Sequence, residues 1–563
     1  MLNRRNLLSS GSMLTGAALA GSFDQLIART QPGGSARPSI LNLMEFGAIP
    51  DGKTLNTAAF ARVVKASLEA GGGIVYVPAG EYLCGPILLG SNTVLYLAPG
   101  AVLKGSPNLE DYSVEPTSIS GESARAGLIT ARDAGNVAIV GHGTIDGNSL
   151  SFHDTNKLHT GSDWDPRYTR QKADYMNPKY GTETGPLAHG ERPGNVVRFI
   201  NCRKTLLQGI TVQNSPTWTM LFHGCEDVNI DGLNINSHAS GRRIPNDDGM
   251  DLRFSTNIRV SNCNIQTGDD CIAVFGSQNI VVTNCNLLSR SSGIRVGYTK
   301  GDSRNLTFQN LTIHSNCGLK INVRGTGNVE DVLFSDIILR TELITGHWWG
   351  KGEPVHLSAQ PLHDPEDPGR LGRIRRVRFR NILAEGENSA VVWGSSDNLI
   401  EDILFEDIVL RMKNSRLQPA YGGNFDLRAG AEPARGLFEH DVPGLFFAWV
   451  ERLRIRGFCL SWDEIVPDFF SYGIEGENFR DVEIQGFEGR QAKAGGDPCI
   501  VLRNGSGVSI RDCRAGYGTG TFLSQSGVTD QRLFVNNDLS HCEKPFETTP
   551  HGFTVSSNLI PKG

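Results

Sequence analysis

Between Asn246 and Arg324, apolar and polar residues alternate in short bursts that return at a nearly constant interval. Gly249, Cys271, Gly293 and Gly318 open four similar segments spaced 22, 22 and 25 residues apart. The first and third residues after each marker are apolar: Met250 and Leu252, Ile272 and Val274, Ile294 and Val296, Leu319 and Ile321. Alternation with period two is a strand with one buried face, and a period in the twenties is a stacked repeat. Together they predict an all-β chain wound as a parallel β-helix, with residues one period apart roughly 4.8 Å apart on neighbouring strands. A recurrent bend position runs through Gly209, Gly232, Asn262, Asn284, Asn310, Asp336, Asn381, Asp407, Gly457, Gly486 and Asp512. Small and amide residues suit bends with unusual backbone angles, and stacked Asn side chains can form ladders. Where the interval jumps to 45 or 50, loops are inserted.

An open solenoid end exposes strand edges and apolar interior, so a cap is required. Residues 39–120 supply it, with a helix expected from Thr57 to Ala70 that stops at Gly71-Gly72-Gly73. Residues 121–560 are expected to form the β-helix itself. At the N-terminus, Asn3-Arg4-Arg5-Asn6-Leu7-Leu8 precedes an apolar stretch ending Ala18-Leu19-Ala20. That order matches a twin-arginine export signal with an A-x-A cleavage site, which assigns residues 1–30 to a signal peptide and linker. The apolar stretch is short for a membrane span. The expected destination is periplasmic or extracellular, with no membrane association after signal removal.

A formal net charge of −6 gives no electrostatic reason to expect nucleic acid. The eleven cysteines include pairs one period apart, Cys263 and Cys285, as small apolar residues filling coils would be. No Cys/His spacing resembles a zinc site. No metal and no cofactor are expected.

The chemistry concentrates in the bends. Asp248 and Asp270 are one period apart and Ser292 follows one period later, so the two acids become neighbours, with Asp269 beside them. Positions pointing outward between the apolar ones form a second column, Asp251, Ala273, Arg295 and Lys320, which puts two cations beside the acids. Asp and Asn also form turns by bonding their own backbone. Aligned like charges repel, however, and clustered acids with mutually shifted pKa values are candidates for acid/base chemistry.

Asn-x-Asp-Gly-Met-Asp at 246–251, followed by Gly-Asp-Asp-Cys at 268–271, resembles the active-site motif of glycoside hydrolase family 28, the polygalacturonases and rhamnogalacturonan hydrolases. The resemblance implies a right-handed parallel β-helix. It also implies Asp269 as general acid, Asp248 and Asp270 activating water, and inversion at the anomeric carbon. Inverting sites keep their carboxyls roughly 6.5–9.5 Å apart, which neighbours in a shallow groove could supply. Two positions depart from the family pattern. Ser291-Ser292-Gly293 stands where the family carries Gly-His-Gly, and Lys320-Ile321-Asn322 where it carries Arg-Ile-Lys. Arg295 and Arg324 are the compensating cations, and Ser292, Lys320 and Asn322 complete the expected substrate contacts. Trp348 and Trp349, between glycines in the first insertion, are expected to line a sugar subsite.

The implied partner is a pectic poly- or oligosaccharide cut at an α-glycosidic bond. Exo action is expected because the extra length lies in loops that could block one end of the groove, and a monomer is favoured. Two alternatives stay open: a polysaccharide lyase, with calcium held by the acids, and a non-catalytic carbohydrate-binding β-helix.

Overall fold

Alternating side chains leave one face of each strand apolar, and in a coil those faces can be buried only against one another. The computed structural model, which describes residues 39–115, 123–159, 164–182, 185–346, 348–361, 370–428, 436–547 and 552–560, shows the result. Among the described residues, 39 strands join in one continuous sheet paired in parallel from coil to coil, a right-handed parallel β-helix. The double-arginine stretch and its linker lie outside the described residues. At the N-terminal end, helix α1 (Thr57–Glu69) turns Ala59, Phe60, Val63 and Val64 onto the first strands.

Seven strands form the floor on which the candidate site stands. They are β1 (Met220–His223), β2 (Met250–Arg253), β3 (Ile272–Phe275), β4 (Ser292–Gly297), β5 (Cys317–Val323), β6 (Val355–Ala359) and β7 (Ala390–Trp393). Their register follows the sequence period: Met220, Met250, Ile272, Ile294, Leu319 and Val355 stack inward. The outward column runs Leu221, Asp251, Ala273, Arg295, Lys320, His356 and Val391. Inside the coils like stacks on like, and Phe308, Phe334, Phe379 and Phe405 lie ring over ring at 5.0, 5.1 and 4.9 Å.

The bends take the backbone angles that their residue types foreshadow. Every position in the recurrent series has positive φ, from 49° at Asn381 to 73° at Gly209. Left-handed backbone costs an ordinary L-residue roughly 1–2 kcal/mol, which Gly avoids and Asn tolerates. The amides also ladder: Asn284 donates to Asn262 at 3.3 Å and receives from Asn310 at 2.6 Å. A second ladder, Asp227, Asn257, Asn279 and Asn305, runs along another bend, also at positive φ. Asn284→Ala is expected to lower stability by about 1–2 kcal/mol, and Asn284→Gly by less, as read from urea unfolding midpoints.

Candidate active site

The acids come from two adjacent bends. Asp248 precedes β2, while Asp269 and Asp270 precede β3, and the coil stacks them because Gly249 N donates to Asp270 O at 2.9 Å. Asp248, Asp269 and Asp270 offer oxygens that all lie within 4.8 Å of one another. This is closer than the inverting separation expected from the sequence. The three could also hold a hard cation through oxygen ligands.

The groove is not shallow. Asp248 and Asp269 are only 5% and 8% exposed, and Asp251, Asp270 and Ala273 are fully buried. The cover comes from the inserted segments, which pack on one another as well as on the coils. Tyr175 meets Tyr421 edge to face at 5.5 Å, Arg170 pairs with Asp441 at 2.6 Å, and Gly346 N donates to the Tyr421 hydroxyl at 3.0 Å. The repeat interval locates insertions, but how they fold back depends on contacts between segments some 250 residues apart.

Burial makes each acid depend on its partners. Burial alone would raise Asp270, but Arg295 and then Lys320 hold it below the usual carboxylate range. Arg295 Nη1 reaches its Oδ2 at 3.0 Å, while the Ser292 N–H and the Ser291 hydroxyl donate to Oδ1 at 3.0 and 2.9 Å. Asp270 is therefore the ionised acid. Asp269 is raised well above the usual range, first by burial and then by the charge on Asp270. Asp248 is raised as well, by burial and then by Asp269 and Asp251. One firm charge beside protonated neighbours is the division of labour that acid/base chemistry needs.

Sequence reasoning placed Asp251 in the outward column without giving it a role. It is fully buried at 0% exposure, neither carboxyl oxygen has a hydrogen-bond partner among the described residues, and burial raises its pKa well above the usual range. His356 extends the column beyond Lys320; burial, and then Lys320 and Arg324, push its pKa well below that of a free imidazole. Both were accessible to the same period-two count.

The expected substrate contacts separate into groups. Arg295 lies among the rings of Tyr298, Trp349 and Phe275 at 4.6, 5.2 and 5.6 Å, and its Nε donates to Asn322 Oδ1 at 3.3 Å. Ser292 and Lys320 stand on the floor beside it. Arg324 is committed elsewhere: it donates to Ser358 O and Oγ at 3.2 and 3.0 Å and to Leu427 O at 2.7 Å, tying the second insertion to the floor. Trp348 leans on the acids, its Nε1 donating to Asp269 Oδ1 at 3.3 Å. In the second insertion, residues 414–443, Asp426 and Arg428 are a buried pair at 2.7 Å.

A parallel β-helix whose covered floor brings an ionised carboxylate against protonated ones is a scaffold for acid/base chemistry on a molecule laid along the coils. Comparison with known proteins narrows the class. The model of the Glycosyl hydrolases family 28 matches residues 113–343, and that of Rhamnogalacturonase A/epimerase, pectate lyase-like, matches residues 40–165. The chain is 26% identical over 385 residues to a protein named probable polygalacturonase from Vitis vinifera, covering 63% of this chain and 71% of that one. It is 28% identical over 263 residues to the exo-poly-alpha-D-galacturonosidase of Dickeya chrysanthemi, 42% of each chain. The exopolygalacturonase structure from Thermotoga maritima superposes with a TM-score of 0.55 at 23% identity, covering 79% of this chain and 96% of that one. The family 28 exopolygalacturonase of Yersinia enterocolitica gives 0.57 at 18% identity, with coverage of 80% and 79%. The family model and these relatives support glycoside hydrolase family 28 and, with it, a glycosidase.

Proposed function

We propose that this glycosidase hydrolyses α-glycosidic bonds in a pectic polysaccharide or its oligosaccharides, from a chain end and with inversion. Asp269 protonates the leaving oxygen, and Asp270 deprotonates the attacking water, which Asp248 helps to hold. The observation that carries the reading is the Asp270–Arg295 contact at 3.0 Å, which keeps one carboxylate ionised next to an acid that burial and that same charge keep protonated. Two acceptors that share one water are each about 2.8 Å from it, so oxygens within 4.8 Å of one another can grip the same water. Inversion rests on that grip, since the gap is shorter than the roughly 6.5–9.5 Å of most inverting pairs.

Exo action is supported by the length of the polar floor. From Asp251 to His356 the column is polar except at the small Ala273, with Leu221 before it and Val391 after it. Four coil steps make that stretch roughly 19 Å. Beyond Val391, Phe446 stacks on Trp393 at 4.8 Å, with Phe425 and His440 against them, a wall across one end. The double-arginine stretch supports export to the periplasm or beyond. Among the described residues, no helix is long and apolar enough to cross a membrane.

Homogalacturonan, rhamnogalacturonan, xylogalacturonan and short oligogalacturonides, assayed for new reducing ends and followed by proton NMR, test the proposal. Saturated mono- or disaccharide of inverted anomeric configuration is expected from the first minutes. An unsaturated, ultraviolet-absorbing product lost on chelation would assign a lyase, a retained configuration would remove the water-gripping roles of Asp248 and Asp270, and no cleavage of any member would end the pectin assignment.

A further inference from the structure

Ser292 occupies the position of the histidine that the family motif brings to the acids, and its own N–H goes to Asp270. Asp269 is served from a different direction. Its Oδ1 accepts two N–H donors, the Asp270 backbone at 2.9 Å and the Trp348 indole at 3.3 Å. A carboxyl oxygen that accepts two N–H groups is the carbonyl oxygen of the protonated acid, so the proton sits on the other one.

Trp348 is held from behind. Arg428 Nη2 donates to Trp348 O at 2.9 Å, and Arg428 is paired through Nε and Nη2 with Asp426 at 2.8 and 2.7 Å. Asp426 also accepts from Gly350 N at 2.8 Å, two residues beyond the indole. Asp426 and Arg428 are both buried, and the Arg428 guanidinium lies 5.1 Å over the Trp164 ring. Two insertions far apart in sequence thus fix one indole N–H on one carboxyl oxygen.

We infer that Trp348 is a positioning residue for the general acid: its indole N–H, clamped through Arg428 and Asp426, holds the Asp269 carboxyl so that Oδ2 carries the proton toward the glycosidic oxygen. The inference rests on the hydrolase reading for its consequence, but its geometry is independent of any substrate. An N–H donated to a carboxylate favours the ionised form, so the indole also makes Asp269 a stronger acid. The other groups that face Asp269 are the carboxyls of Asp247, Asp248, Asp251 and Asp270, the Arg295 guanidinium and the Ser291 hydroxyl. None of them belongs to the Trp348 loop.

Two measurements on the full-length protein test this. In a spectrum of the indole N–H groups, of which the chain has seven tryptophans' worth, the signal absent in Trp348→Phe should shift with pH as Asp269 titrates. It should stop doing so in Asp269→Asn. An unchanged pH response in Asp269→Asn overturns the contact whether or not any substrate is cut. In kinetics, Trp348→Phe should lower kcat by roughly tenfold to a hundredfold, with less change in KM, and move the basic limb of kcat/KM to higher pH. Trp349→Phe trims the indole that faces Arg295 to a phenyl ring and should leave that limb in place. Loss of activity in Trp348→Phe with the basic limb unmoved, or no loss at all, would reduce the indole to packing.

Discussion

Asp269→Asn is expected to lower kcat on a pectic oligosaccharide by roughly 10³-fold, within the range that one positioned proton donor supplies. The fold should be nearly untouched. Burial and the neighbouring Asp270 charge already keep Asp269 protonated, so an amide of the same shape replaces a neutral carboxyl, and no buried charge loses its partner. The ion pair that carries the local charge, Asp270 with Arg295, is intact in the variant. The defect should also depend on the leaving group. An aryl glycoside that departs as a stable phenolate needs no proton, so Asp269→Asn should cleave it at a rate much closer to the parent's than it cleaves an oligosaccharide. The parent's kcat/KM should fall as pH rises through the elevated pKa of Asp269, and that basic limb should disappear in the variant on the aryl substrate. Equal losses on both substrates would mean that Asp269 positions rather than protonates.

The parts of this site that sequence reasoning reached are those set by the period of the coil. Asp248, Asp269 and Asp270 converge because residues one repeat apart become neighbours, and the column Asp251, Ala273, Arg295, Lys320 is the same period read on the outward face. The bend residues announced themselves by type, since Asn, Asp and Gly are the residues that accept positive φ. What could not be read is how the insertions fold back. The grip of Arg428 and Asp426 on Trp348 and Gly350, the seat of Trp348 on Asp269 and the commitment of Arg324 to backbone carbonyls all join segments with no periodic relation. The same reason turned an expected open groove into a covered one, and burial then decided which acids carry protons. Asp251 sits between these cases. Its place was legible, but its burial without a hydrogen-bond partner among the described residues was not.

Arg295→Met is expected to cost about 3–5 kcal/mol of stability near neutral pH, because it strips the cation from a carboxylate buried away from bulk solvent. Methionine can occupy the slot among Tyr298, Trp349 and Phe275, so the loss is electrostatic more than steric. The pH dependence separates the two. In the parent, Asp270 has a folded pKa below its unfolded value, so its contribution is present above the unfolded pKa and fades as pH falls through the lower folded one. In the variant, burial dominates and the folded pKa rises above the unfolded value. The penalty is then full at neutral pH and shrinks as pH falls through the raised pKa and Asp270 takes up a proton. Urea unfolding at about pH 7 and about pH 4.5 should show the gap between parent and variant narrowing at the lower pH, whereas a packing defect would leave it constant. Activity should follow the same group. With Asp270 protonated over more of the acid range, the acidic limb of kcat/KM should move to higher pH. Arg295→Lys should restore part of the stability and less of the rate, since one ammonium replaces a planar guanidinium that reaches Asp270 and Asn322 together.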